Sequence, residues 1–185
     1  KVKLLLNATR SDLIDALDDY RSNLSFKDNL LIYYAGHGWL DSQADQGFWL
    51  PIDAKANRRS AWVSNDIITG TLKALQAKHV MVIADSCYSG RLVRGTRISI
   101  SDPGYLMRMS RKKARVAITS GGLEPVSDTG DSGHSPFFNA LLKALDNNNG
   151  VMDGNTLFNT IRRPVMVDSD QTPQFSDVRK AGHDG

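Results

Sequence analysis

Residues 80–90 read VMVIADSCYSG. The apolar run 80–84 has the length and β-branched content of a buried strand, and the polar residues after it, closing on Gly90, mark a turn at its C-terminal end. Cys87, the only cysteine in the chain, falls in that turn. A thiol just past a core strand is held rigidly and still faces solvent, the two conditions a nucleophile needs. Residues 29–38, NLLIYYAGHG, repeat the construction: a strand over 30–35, then His37 between Gly36 and Gly38. If the two strands are neighbours in one parallel sheet, His37 and Cys87 emerge side by side at the same edge. A Cys-His dyad is therefore the central expectation.

The elements around these strands follow from periodicity. Residues 2–6 read as a strand, and Thr9 to Asp12 has the pattern of a capping box opening a helix whose Leu13, Ile14, Leu17 and Tyr20 share one face. The uninterrupted apolar run 30–35 predicts a strand covered on both faces. Residues 39–63 lack clear periodicity and read as a surface excursion with one strand-like piece at 48–51, in which Trp39, Trp49 and Trp62 are packing residues. Ser64 caps a helix with Ile67, Ile68, Leu72 and Leu75 on its apolar face, and that helix crosses over to the strand at 80. Such crossovers are nearly always right-handed and return the chain parallel. Residues 91–113 carry Arg91, Arg94, Arg97, Arg108, Arg111, Lys112 and Lys113 around Pro103-Gly104 and read as an exposed loop. A strand at 115–119 turns out through Ser120-Gly121-Gly122. Ser135 and Pro136 then open an amphipathic helix through Phe137, Phe138, Leu141, Leu142 and Leu145, which ends at 147–150. A shorter helix over 156–161 and an edge strand at 174–178 close an α/β layered fold, with ligands expected at the carboxyl ends of its strands.

Composition narrows the classes. With 185 residues and 41% hydrophobic content, the chain is long enough to bury a core as a single domain. No apolar run approaches the roughly 18 residues of a membrane span, so no membrane association is expected. The net charge of +3 is concentrated in the basic loop without interleaved aromatics, a poor footprint for nucleic acid. One cysteine forms no internal disulfide, which fits a reducing cytoplasm. His37, His79, His134 and His183 show no paired spacing for zinc.

The motifs Tyr33-Tyr34-Ala35-Gly36-His37-Gly38 and Asp85-Ser86-Cys87-Tyr88-Ser89-Gly90 resemble the histidine and cysteine motifs of caspase-like cysteine peptidases, family C14 of clan CD, in the metacaspase and bacterial caspase-like branch. The 50 residues between His37 and Cys87 match the caspase separation. Residues 47–53, 118–128 and 173–185 also look like the bacterial members. The resemblance spans nearly the whole chain and implies a single caspase-like peptidase domain over 1–185. Its implied architecture is a three-layer α/β sandwich, a mostly parallel central sheet flanked by helices. It further implies a strand and helix ahead of Val2, which this sequence lacks, so that further domains or a separate chain would supply that strand. Calcium-activated metacaspases are expected to carry clustered acids, one of them soon after the cysteine motif. Here that place holds Arg91, Arg94 and Arg97, and Asp41, Asp45 and Asp53 do not make a calcium set, so neither metal nor cofactor is expected.

By the same resemblance, Cys87 attacks a peptide carbonyl as its thiolate and His37 takes and returns the proton. The backbone N–H groups of Gly38 and Cys87 form the oxyanion hole, worth on the order of 3 kcal/mol per donor. Asp85 stands where metacaspases line the pocket for the residue before the cleaved bond; a carboxylate there selects Arg or Lys. The bland alternative is that Asp85 caps the turn after its strand. Glu124 and Asp128 are candidates for the substrate cleft, and the basic loop 91–115 for self-processing. An α/β-hydrolase or amidotransferase reading is disfavoured, because its elbow wants glycine two residues before the nucleophile and its histidine later in the chain. A non-catalytic caspase-like scaffold in a signalling or defence assembly is the remaining alternative, since fold does not fix function.

Overall fold

The structure, a computed structural model, describes residues 1–86, 107–122, 133–178 and 181–184. Helix α1 (Arg10–Asn23) leads into strand β1 (Asn29–Ala35), then β2 (His37–Asp41), β3 (Gln46–Leu50) and the short β4 (Val63–Ser64). Helix α2 (Asn65–Ala74), strands β5 (His79–Asp85) and β6 (Ala114–Thr119), helices α3 (Pro136–Asp146) and α4 (Gly154–Asp168), and strand β7 (Gln174–Asp177) complete the order. The main sheet runs β1-β5-β6-β7, with the first three strands parallel and β7 antiparallel at one edge. Helices pack on both faces of this mostly parallel sheet, the layered α/β architecture expected from the sequence.

Strand β5 shows why the sheet needs both layers. Its even residues Val80, Val82 and Ala84 pack with Ile68 and Leu72 of α2, with its C-cap Leu75, and with partly buried Leu13 and Tyr20 of α1. Its odd residues Met81 and Ile83 pack with Phe137, Leu141, Leu157 and Ile161 of α3 and α4. A strand buried on both faces has no polar positions to alternate, hence the continuous apolar run.

Local signals set the helix starts. Thr9 and Asp12 form the reciprocal capping box of α1, Ser64 accepts from the Ile67 N–H, and Ser135 accepts from the Phe138 N–H with Pro136 behind it. Each such cap is typically worth about 1 kcal/mol.

Several expectations are corrected. Residues 2–6 are no strand: Val2, Leu4 and Leu6 are exposed, and among the described residues no strand lies beside them to take their backbone hydrogen bonds. Strand β1 is only partly covered on its second face, where Leu31 is exposed and Tyr33 packs on Phe138 of α3, since it is the edge of the sheet among the described residues and α3 and α4 sit mainly over β5 and β6. The excursion after His37 is a second, antiparallel sheet, β2-β3-β4, closed by the cluster of Trp39, Phe48 and Trp62. Aromatic packing stabilises it where periodicity is weak. Leu142 and Leu145 face solvent while Ala140 and Ala144 are buried, so the inward face of α3 is rotated from the predicted one. Helix α4 runs through Pro164 to Asp168, because Leu157, Ile161 and Val165 recur at four-residue spacing on its buried face and outweigh the one backbone bond the proline removes. The basic loop lies outside the described residues over 91–106.

Candidate active site

Parallel pairing aligns the two motif-bearing strands residue for residue. Ala35 of β1 stands opposite Asp85 of β5, and Tyr34 opposite Ala84. The Gly36 N–H reaches the Asp85 carbonyl at 3.4 Å, which carries the alignment one residue past β1. Positions 37 and 87 each follow that aligned pair by two residues. The third parallel strand ends at the same edge: the Ser120 N–H donates to the Ala84 carbonyl at 2.9 Å, and the Ser86 N–H donates to the Ser120 hydroxyl at 3.1 Å. Ser86 and Ser120 are both buried, so the residue before Cys87 is fixed on the core. Cys87, Glu124 and Asp128 lie outside the described residues.

His37 is exposed and opens β2, paired with Leu50 of β3, and Gly38 follows it opposite Trp49. The turn between β1 and β2 is built around Tyr34. Its ring stacks on Trp49 with centroids 4.1 Å apart and planes 1° from parallel, and its hydroxyl donates to the His37 carbonyl at 2.8 Å. Burial raises the Tyr34 pKa to about 12, so the phenol is a neutral donor throughout the ordinary pH range. A Cβ at Gly36 would stand 2.7 Å from the Tyr34 hydroxyl, which is why that position needs glycine.

Asp85 ends β5 on the side facing α3 and is 9% exposed. Its Oδ2 accepts from the Ser135 hydroxyl at 2.5 Å and from the Tyr33 hydroxyl at 3.3 Å. Ser135 is also the N-cap of α3, so one side chain ties that helix to the strand leading to Cys87. Burial, reinforced by the Asp85 charge, raises the Tyr33 pKa and keeps this phenol a donor as well. Sequence reasoning missed Tyr33 and Ser135 as partners of Asp85. The available signal was that Tyr33 and Asp85 each open one of the two motifs.

The other singled-out residues have structural surroundings. His79 Nδ1 lies 2.7 Å from Asn29 Oδ1, His183 Nδ1 accepts from the Arg115 N–H, and His134 packs against Phe138. Asp41 pairs with Arg59, and Asp53 accepts from the Arg10 N–H at the start of α1. Among the described residues no group of three His, Cys, Asp or Glu side chains could hold a metal ion, and no helix is long and apolar enough to cross a membrane.

Comparison with known proteins places these observations. The profile of a peptidase C14 family, described as the caspase domain, matches residues 1–181. Among solved structures, caspase-1 from Spodoptera frugiperda superposes with a TM-score of 0.65 at 16% identity, over 96% of this chain and 71% of that one. Protein GSU0716 from Geobacter sulfurreducens superposes with a TM-score of 0.63 at 19% identity, over 92% of this chain and 74% of that one. At these identities the likeness is one of fold. None of the curated proteins compared with the chain matches it in sequence.

Proposed function

The chain belongs to the caspase domain family, and on that premise we propose that it is a cysteine endopeptidase of the metacaspase-like kind, cleaving after Arg or Lys through a dyad of Cys87 and His37. What supports the dyad is the register that pairs Ala35 with Asp85 and sets the two motifs out from one sheet edge. The Cys87 thiolate adds to the scissile carbonyl, and the N–H groups of Gly38 and Cys87 hold the resulting oxyanion. Collapse breaks the C–N bond, and the leaving amine takes its proton from His37. Water then attacks the thioester with His37 accepting its proton, which releases the acid and restores the thiol. Asp85, oriented by Tyr33 and Ser135, receives the guanidinium or ammonium of the residue before the cut. Glu124 and Asp128 line the cleft in this reading, and the Arg-rich stretch 91–115 is a substrate for self-processing. A reducing cytoplasm keeps the sole thiol free.

The test uses wild type, Asp85→Asn and Cys87→Ala, incubated alone and with Arg and Asp peptide amides. Wild type is expected to turn over the Arg amide and to be cut within 91–115. Asp85→Asn loses at least about tenfold on Arg, the loss of one charge-assisted bond, and Cys87→Ala loses everything. Preference for Asp, or fragments from Cys87→Ala, overturns the assignment.

A partner follows from the same premise. A groove of about 650 Å³ runs between residues 3–8, the inner face of α1 at Leu13 and Leu17, and the free edge of β1. Lys3 holds the outer wall to α1 through Asp19 at 2.9 Å. The groove suits one extended segment that hydrogen-bonds to β1 and covers Leu4 and Leu31. In this reading the occupant is the strand that the family resemblance places ahead of Val2, supplied by further domains or by a separate chain. A chain extended upstream of Lys1 should melt several degrees higher and protect the β1 amides from hydrogen exchange; unchanged exchange in β1 would rule the strand out.

A further inference from the structure

We propose that Tyr34 is the positioning residue of His37, the link that holds the histidine-bearing turn in register with the strand leading to Cys87. The proposal rests on the dyad reading and adds the group that orients its histidine.

Two sheets must be aligned for the dyad to meet. Cys87 follows β5 in the parallel sheet, whereas His37 opens the antiparallel sheet β2-β3-β4. Tyr34 belongs to the first sheet by backbone, opposite Ala84 of β5. Its hydroxyl reaches into the second, 2.8 Å from the His37 carbonyl and 3.4 Å from the carbonyl of Leu50, the residue paired with His37. A phenol has one proton, and the shorter contact takes it. The ring has no freedom to follow a drifting turn, because it is stacked on Trp49 and is 9% exposed. Gly36 completes the device: with no Cβ, the turn closes directly over the phenol. The imidazole itself is exposed, so its placement depends on the backbone that carries it.

In the dyad reading, loosening that backbone carries the imidazole away from the thiol and weakens its support of the thiolate. The chain has a single cysteine, so its alkylation by iodoacetamide reads Cys87 alone, whatever peptide the enzyme accepts. The rate against pH is measured for wild type, His37→Ala, Tyr34→Phe and Gly36→Ala. Wild type is expected to show a midpoint below the ordinary thiol value of about 8.5, and His37→Ala to return to it. Tyr34→Phe keeps the stack on Trp49 and removes only the donor; its midpoint is expected to rise by about half a unit or more toward that of His37→Ala. On a peptide amide that wild type cleaves, its kcat should fall about tenfold with KM held. Gly36→Ala pushes the phenol aside and should shift the midpoint the same way, less so when combined with Tyr34→Phe, which removes the closest contact. Asp85 is common to all four chains, so its charge does not enter the differences. A Tyr34→Phe midpoint equal to wild type, with His37→Ala shifted, overturns the role of Tyr34 and leaves the dyad standing. A His37→Ala midpoint equal to wild type overturns the dyad itself, and the proposal with it.

Discussion

His37→Ala is expected to lower kcat/KM for an Arg peptide amide by about 10²–10⁴, the range a positioned general acid-base contributes. The loss should sit in kcat, because the imidazole acts on the thiol and on the leaving amine and does not hold the substrate's side chain. The structure separates this effect from damage to the fold. The His37 side chain is exposed, and what anchors the residue is its backbone: the β2–β3 pairing with Leu50 and the bond from Tyr34 to its carbonyl. Alanine keeps both, so the melting temperature should stay within a degree or two of wild type, as for a surface substitution costing no more than about 0.5 kcal/mol. Activity within twofold of wild type would remove His37 from the mechanism.

Arg115→Met is expected to cost about 3–5 kcal/mol of stability, roughly 10 °C or more in melting temperature for a chain of this size. Arg115 is fully buried at the start of β6. Nε donates to the carbonyl of Leu72 at 2.9 Å, and Nη1 to those of Lys78 at 3.0 Å and Ala114 at 2.8 Å. Nη2 donates to Leu75 at 2.9 Å and Ala77 at 2.7 Å. Five N–H groups thus meet five carbonyls, the full capacity of a guanidinium. Two of those carbonyls, at Leu72 and Leu75, belong to the end of α2, where the last C=O groups have no helical partner and the helix dipole favours a cation. Burial works against the charge and lowers the pKa, so the site holds an ion only because every donor is used. Methionine fills much of the volume and satisfies none of the carbonyls. Lysine, with three donors on one nitrogen, should fall between the two. Thermal melts of the three chains decide this, and a lysine variant as stable as wild type would show that the charge alone suffices.

Arg115 also marks a limit of reading from sequence. The strand there was legible, yet an arginine at its start reads as the solvated end of the basic loop. Nothing local announces that the carbonyls of residues 72–78 converge on it. The second sheet was illegible for a related reason: β2, β3 and β4 are stabilised by contacts among Trp39, Phe48 and Trp62, with Trp49 on Tyr34, and pairings between residues 5 to 16 apart leave no period in the sequence. The extended character of residues 2–6 was over-read, because apolar composition specifies a strand only where a neighbouring edge can pair with it.

What the amino-acid sequence determined by itself was the succession of strands and helices along the chain, the caps that start three of the helices and the two motifs, since these are written in residues close together along the chain. It also placed His37 and Cys87 each just past a strand, and the pairing of those strands in one sheet came from the structure. Tertiary structure alone decided that Ala35 meets Asp85, that Asp85 is held by Tyr33 and Ser135, and that Tyr34 holds the His37 turn. The partners of Asp85 stand about 50 residues away on either side, and β1 and β5 are no closer. Only the packing of β1, β5 and α3 around one sheet brings such groups within hydrogen-bond reach.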